Sequence, residues 1–411
     1  MILSPVSILD CSIAGVLLAP QLLWTAGVFA TLKLVCAALP LILFVLPFHF
    51  LARYAKSRDA QPRFIRESSV FEDMIVRIVR YGFMYFPTEA LKVFLSKRFA
   101  YPLLRWRMFR NGIFSFPAHL QDRVLQEGQT SAAGLWMRHD AEKEADVVVY
   151  YVHGGGFALG SCYFYLEFLL AMHHLLLKTR FENPAIFALE YSLVPEKTHP
   201  TQINQVVLGY KHVLGEVKDA SKVCVAGDSA GGTLTLSLLR ELGNRTNGHE
   251  TNGTTILAVP RLAVLISPWI TLVSDNHNPS RVDYLERDRL WVYGKAYAGS
   301  RVHDSSASPG LCDDGHLWKA VSPQRGYFVV YGEEETLAPD AEAFIRHQRR
   351  NKIEIDAMEF EGGIHAWPVA SLLLSSTRDR RLQGLESIVR QVREKVGDDV
   401  VQSNKKTMPT S

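Results

Sequence analysis

Lys222-Val-Cys-Val-Ala-Gly-Asp-Ser-Ala-Gly-Gly232 decides the reading of this chain. Val223 to Ala226 is a short apolar run of the kind that fills a strand covered on both faces. Gly227-Asp228-Ser229-Ala230-Gly231 then spells G-x-S-x-G, and Thr233 to Arg240 reads as a helix. Strand, tight turn and helix together place such a serine on a strained turn with its hydroxyl outward. Gly227 and Gly231 lack a Cβ, so strand and helix can close on each other. Ser229 would meet the free N–H groups and the positive dipole end of the following helix. A five-residue pattern recurs by chance, so it needs support from elsewhere in the chain.

Support comes from Val147-Val-Val-Tyr-Tyr-Val152, a second apolar, β-branched and aromatic run that ends in His153-Gly-Gly-Gly-Phe157. Three glycines just past a strand can turn their N–H groups into one cavity. An oxyanion hole needs such donors, fixed in advance where negative charge will develop. Gly154, Gly155, Gly156 and Ala230 are the expected donors, with His153 and Asp228 as supporting residues of the two motifs.

The 411 residues suffice for one large domain with an appendage. Hydrophobic content is 47% and net charge +3, with no basic repeat and no aromatic–basic interleaving, so nothing points to nucleic acid. Cys11, Cys36, Cys162, Cys224 and Cys312 show no metal-type or paired spacing. A Cys162–Cys312 disulfide has no support from spacing. No H-E-x-x-H or similar ligand pattern points to a metal.

The first 51 residues read as a membrane anchor. Cys11 to Leu32 and Leu34 to Leu51 carry no formal charge, and each approaches the roughly 20 apolar residues of a span. One span or two packed as a hairpin fits, with Pro20, Pro40 and Pro47 as break points. A cleaved signal peptide fits poorly, because the amino end lacks basic residues and the apolar region is too long. Orientation signals conflict. Arg53, Lys56 and Arg58 would keep that flank cytosolic. Asn244-Arg-Thr246 and Asn252-Gly-Thr254 are glycosylation sequons and favour a lumenal catalytic domain.

From Ala52 to Arg110 thirteen Lys or Arg face five acids, with Phe71, Ile75, Ile78, Val79 and Phe83 at helical spacing. Residues 52–130 are expected to form a basic helical cap near the membrane. Asn111 to Phe116 and Gly134 to Arg138 read as edge strands. Strand and helix then alternate through residues 131–397, which predicts an α/β fold with a mostly parallel sheet and helices on both faces. Residues 271–319 interrupt the alternation as a second part of the cap, and 398–411 read as a disordered tail.

A serine hydroxyl needs a base, and the base needs a carboxylate to orient it. In strand–elbow–helix hydrolases the order along the chain is serine, acid, histidine. His365 in Glu361-Gly-Gly-Ile-His-Ala-Trp367 has the right order and a glycine-flanked loop; His277, His303, His316 and His347 lie in the insertion or on a helix. Gly332-Glu-Glu-Glu-Thr-Leu-Ala-Pro-Asp340 offers the acid, Glu335 first, then Asp340 and Glu334.

The chain resembles the hormone-sensitive-lipase-like family of α/β-hydrolases over roughly residues 110–395, on His153-Gly-Gly-Gly156, Glu190-Tyr-Ser-Leu-Val-Pro-Glu196, Gly227-Asp-Ser-Ala-Gly-Gly232 and Ser267-Pro-Trp269. It is most similar to the fungal steryl acetyl hydrolases, on Pro200-Thr-Gln-Ile-Asn-Gln205, Gly209-Tyr210 and the apolar amino-terminal segment. The family's acid segment D-P-L falls on Glu335-Thr-Leu337, where this chain has Glu for the usual Asp. The resemblance implies an α/β-hydrolase fold with an eight-stranded core and a cap, no cofactor, and carboxylester substrates. It further implies removal of acetyl groups from a sterol or other small lipophilic ester at an endoplasmic reticulum membrane. A long-chain lipase or thioesterase is the alternative. A non-catalytic receptor is a further rival, since gibberellin receptors keep the fold but lose the histidine that His365 supplies here.

Overall fold

The computed structural model describes residues 1–179, 181–246 and 257–406. Its strands are β1 (His119–Glu127), β2 (Thr130–Arg138), β3 (Val147–Val152), β4 (Pro184–Glu190), β5 (Val223–Asp228), β6 (Leu262–Ile266), β7 (Tyr327–Gly332) and β8 (Ile355–Phe360). They form one eight-stranded sheet in the order β1-β2-β4-β3-β5-β6-β7-β8. β2 pairs antiparallel with β1 and β4, and every other pair is parallel. Six helices precede the sheet: α1 (Ile8–Pro40), α2 (Leu46–Ala55), α3 (Arg63–Glu67), α4 (Val70–Tyr85), α5 (Thr88–Phe94) and α6 (Lys97–Arg110). The rest follow β3 or later strands: α7 (Leu166–Lys178), α8 (Thr201–Val217), α9 (Ala230–Thr246), α10 (Arg287–Ala298), α11 (Gly315–Val321), α12 (Ala338–Arg350), α13 (Trp367–Leu374) and α14 (Arg378–Lys406).

β3 and β5 are buried along their whole length, which is why neither shows polar alternation. Successive side chains still point to opposite faces. Tyr150, Phe187, Val225 and Leu265 pack with Leu234 and Leu238 on one side. Tyr151, Ile186, Ala226 and Val264 pack with Leu169, Leu385 and Val389 on the other. The parallel register sets Val152 beside Gly227. The glycine loop after β3 and the turn after β5 therefore leave the sheet side by side, at the carboxyl edge where ligands bind in such folds.

Four expectations differ from the structure. Asn111 to Phe116 is not a strand: Asn111 N–H closes the last turn of α6 onto Arg107 O at 3.1 Å, and Gly112 at φ 71° turns the chain out of the helix. The edge strand begins at His119, so the catalytic sheet starts inside the segment read as cap. Residues 398–406, read as tail, continue α14. The apolar amino-terminal helix Ile8–Ala55 is long and apolar enough to cross a membrane by length and composition. Its break is at Gly27 (φ 80°, ψ 167°), with a π-helical turn at Leu41–Val45, rather than at Pro20 or Pro47. Only glycine takes that backbone without strain.

The two parts of the expected cap meet: Arg80 Nη1 donates to Ser280 O at 3.0 Å, and the Phe83 and Tyr284 rings stack at 6.0 Å. All five cysteines, Cys162 and Cys312 included, are free. Asn252 lies outside the described residues, and Asn244 falls near the end of α9 with its side chain also outside them.

Candidate active site

Ser229 sits between β5 and α9 with φ 51°. Left-handed backbone is unfavourable for a residue with a Cβ and is held only when its surroundings enforce it. They do so here: Ser229 N–H donates to Ile266 O at 2.9 Å, and Ser229 O accepts from Trp269 N–H at 3.0 Å and Gly232 N–H at 3.0 Å. The flanking glycines follow from contact distance. A Cβ on Gly231 would lie 2.0 Å from Val152 O, and one on Gly227 2.5 Å from Gly231 O.

Asp228 joins the serine turn to the glycine loop. Its buried carboxylate accepts from Tyr151 Oη at 2.8 Å, Tyr165 Oη at 2.7 Å and Gly154 N–H at 2.9 Å. Burial pushes this carboxyl up, and the three donors pull it back. The Gly154 N–H is thus already bonded to Asp228, a correction to the expected donor set. Gly154 instead gives the room this bond needs, since a Cβ there would meet Asp228 Oδ2 at 2.3 Å. Gly155 (φ 106°) and Gly156 (φ 63°) turn the loop. No hydrogen bond takes the N–H of Gly155, Gly156 or Ala230 among the described residues. His153 stacks on Tyr191 at 4.4 Å, and its Nδ1 lies 2.7 Å from Gly154 O. It shapes the loop from behind.

His365 and Glu335 come together after β8 and β7, with His365 Nδ1 3.9 Å from Glu335 Oε2. Ser229, His365 and Glu335 are 6%, 2% and 0% exposed, so all three are covered by the protein. Burial lowers the His365 pKa to about 3 and raises the Glu335 carboxyl well above its ordinary value. Ser267 opposes the second effect: its Oγ donates to Glu335 Oε2 at 2.5 Å. The other two carboxylates face elsewhere. Glu334 accepts the N–H groups of Arg63 (2.9 Å) and Phe64 (3.0 Å), at the start of α3. Asp340 pairs with His277 at 3.2 Å and accepts from Ser274 Oγ at 3.0 Å.

Sequence reasoning missed two supports. Ser267, at φ 43° beyond β6, also accepts the Ala366 N–H at 2.9 Å, and so links the acid to the histidine loop. Asp283, buried in the connection between β6 and β7, accepts the His365 N–H at 3.2 Å and the Thr336 N–H at 2.8 Å. Neither has a local signal, because their partners lie far along the chain.

A profile of the alpha/beta hydrolase fold matches residues 149–369. A protein of Schizosaccharomyces pombe that carries the name steryl acetyl hydrolase is 27% identical over 221 residues, 51% of this chain and 56% of that protein. An acetyl-hydrolase of Streptomyces hygroscopicus is 27% identical over 222 residues, 53% of this chain and 67% of that protein. The chain thus spans little more than half the length of the first of these relatives. The crystal structure of an esterase from the bacterial hormone-sensitive lipase family superposes with a TM-score of 0.61 at 21% identity, over 80% of this chain and 99% of that one. That likeness bears on the fold alone. Because the profile spans more than half of the chain, including the positions of Ser229, Glu335 and His365, the chain belongs to the alpha/beta hydrolase fold family.

Proposed function

We propose that the chain is a serine carboxylester hydrolase. The observation that carries this reading is the array of unbonded amides at Gly155, Gly156 and Ala230 beside a serine held at positive φ. Ser229 Oγ attacks the ester carbonyl carbon as His365 takes its proton. The carbonyl π pair moves onto oxygen, and the oxyanion lies on those amides. His365 returns the proton to the leaving alcohol as the C–O bond breaks. Water then attacks the acyl-serine by the same route and frees the acid. Glu335 holds the imidazole tautomer and stabilises the imidazolium. The 3.9 Å between Glu335 Oε2 and His365 Nδ1 is longer than a hydrogen bond, and in this reading it closes when substrate binds.

The substrate we assign is a short-acyl, acetyl-type ester of a hydrophobic alcohol, such as a sterol or a secondary metabolite. The names of the relatives and the apolar amino-terminal segment support it. That segment attaches the protein to a membrane, which we take to be the endoplasmic reticulum with the hydrolase lumenal. A glycosidase-sensitive shift in mobility through Asn244 or Asn252 tests the orientation. The enzymatic reading is tested with p-nitrophenyl acetate and a fluorophosphonate probe. Ser229→Ala should lose turnover by several orders of magnitude and lose labelling. Near-parental turnover in that variant would refute the assignment.

A further inference from the structure

The apolar segment is tied to the rest of the protein at both ends and twice between. Ahead of it, Leu3 is buried in the hydrolase core, Val6 N–H donates to Leu373 O at 2.8 Å, and Arg107 Nη2 donates to Ser4 O at 2.9 Å. In its first turn Asp10, 1% exposed, accepts from Arg107 at 3.1 Å and Trp106 Nε1 at 3.0 Å, and pairs with Arg110 at 2.8 Å. Gln21 Nε2 then donates to Arg98 O at 3.3 Å, and Tyr81 Oη donates to Ala37 O at 2.8 Å. Near its end His49 and Arg53 both hold the buried Asp73, at 2.8 and 2.7 Å. Positions 10 and 21 face positions 107 and 98. Positions 37 and 49 face 81 and 73. The first half therefore runs antiparallel along α6 and the second half antiparallel along α4.

A helix that crosses a bilayer needs about 20 residues between its two interfaces. The interval from Gln21 to Ala37 is the longest without a tie, falls short of that, and is broken at Gly27. Lys33 is exposed within it. In a crossing helix its ammonium would sit in hydrocarbon; on a helix lying at the surface it reaches the headgroups. The outward face is apolar: Val28, Leu32, Val35, Leu39 and Leu43 are exposed and recur every three or four residues. Trp24 is 86% exposed and Phe29 90%. A continuous apolar surface of this extent marks a contact with lipid or protein. Charge selects lipid: Lys33, Lys56, Arg58 and Arg98 are exposed on or beside the segment against the exposed acids Asp59 and Glu89, while Lys97 is paired with Asp122 at 3.4 Å.

We infer that Ile8–Ala55 lies in the plane of one leaflet of an anionic phospholipid bilayer and does not cross it. Both flanks and the hydrolase then share one side of the membrane. The cap helix α4 stands between leaflet and active site, since Phe83 on α4 stacks on Tyr284 and Tyr284 packs edge-on to His365 at 5.7 Å. A lipophilic ester would pass from the leaflet under the cap without entering water. This inference rests on the membrane attachment proposed above and is independent of the chemistry.

The test uses the full chain with Cys11, Cys36 and Cys312 replaced by serine. A nitroxide is placed in turn at Val16→Cys, Trp24→Cys, Phe29→Cys, Leu43→Cys and Phe48→Cys. The protein is bound to phosphatidylcholine–phosphatidylserine vesicles, and label depth is read from collisions with oxygen and with a water-soluble nickel chelate. All five labels should lie at one shallow depth below the phosphates. A profile that passes through the bilayer midplane would overturn the in-plane arrangement and leave attachment standing. Labels that stay fully accessible to nickel would overturn both. Omitting phosphatidylserine should reduce vesicle flotation several-fold, and unchanged flotation would overturn the anionic preference. Hydrolysis of p-nitrophenyl acetate by the same proteins reports the catalytic reading separately, and circular dichroism reports folding.

Discussion

Asp283 carries His365 by its backbone: one carboxylate oxygen accepts the His365 N–H at 3.2 Å while the other accepts the Thr336 N–H at 2.8 Å. The loop that bears the imidazole and the turn that bears Glu335 are thus fastened to a single residue of the β6–β7 connection. Asp283→Asn keeps the size but leaves one of the two N–H groups facing an amide NH2. A hydrogen bond to a charged group contributes about 1.5–3 kcal/mol. We expect kcat to fall roughly ten- to hundredfold with KM changed little. Parallel changes in KM and kcat, or a kcat loss that tracks lost folded protein, would rule out a positioning role.

The carboxylates of the loop after β7 separate by function. Glu335→Gln should lower kcat by about 10³–10⁴-fold, as loss of an orienting acid does. Asp340→Asn should leave kcat close to parental and lower thermal stability, because its partner is His277 rather than His365. Glu334→Gln should weaken the attachment of α3 in the same way. Steady-state kinetics on p-nitrophenyl acetate, with melting curves, distinguish the three.

Buried titrating groups give stability a defined pH dependence. His365 is held down to about 3 from an ordinary value of 6.5. Below pH 6.5 the unfolded chain takes up a proton that the folded chain refuses, so this contribution to stability falls as pH drops from 6.5 toward 3. Glu335 and Asp283 are shifted upward by burial and act in the opposite sense, costing stability as pH rises above the ordinary carboxyl range. His365→Gln should flatten the loss of stability between pH 6.5 and 4, and Glu335→Gln should raise Tm at pH 8. Urea unfolding across that range, with melting at pH 8, reads both effects. Equal slopes for parent and His365→Gln would show that the imidazole is not held neutral.

Two glycines distinguish folding from catalysis. Gly231→Ala drives a methyl into Val152 O and should cost more than about 3 kcal/mol or prevent folding. Gly156→Ala meets only the edge of the Tyr293 ring, at 3.3 Å, and adds the cost of a left-handed backbone, about 1–2 kcal/mol. That variant should fold; because alanine keeps the backbone N–H, kcat should fall by less than the roughly 10²–10³-fold that losing an oxyanion donor outright costs, the loss reporting how far the donor is displaced. Circular dichroism and kcat on the two purified variants separate the outcomes.

The parallel core was legible because its strands are buried on both faces and so appear as unbroken apolar runs, Val147–Val152 and Val223–Ala226 among them. The serine turn and the glycine loop were legible because backbone geometry demands glycine at fixed positions. The edge was not: β1 is largely exposed, so its sequence lacks the apolar pattern that marks a strand, while Ile113, Phe114 and Phe116 imitate one just ahead of it. Chain order and local motif by themselves determined Ser229, His365 and a short list of acids as candidates. Only tertiary structure turned Glu334 toward α3 and Asp340 toward His277, bonded the Gly154 N–H to Asp228, and brought Ser267 and Asp283 beneath the Glu335–His365 pair. The physical reason is range. A turn or a buried strand is dictated by neighbours a few residues away, whereas a hydrogen bond between residues many tens of positions apart exists only after the sheet has set their register.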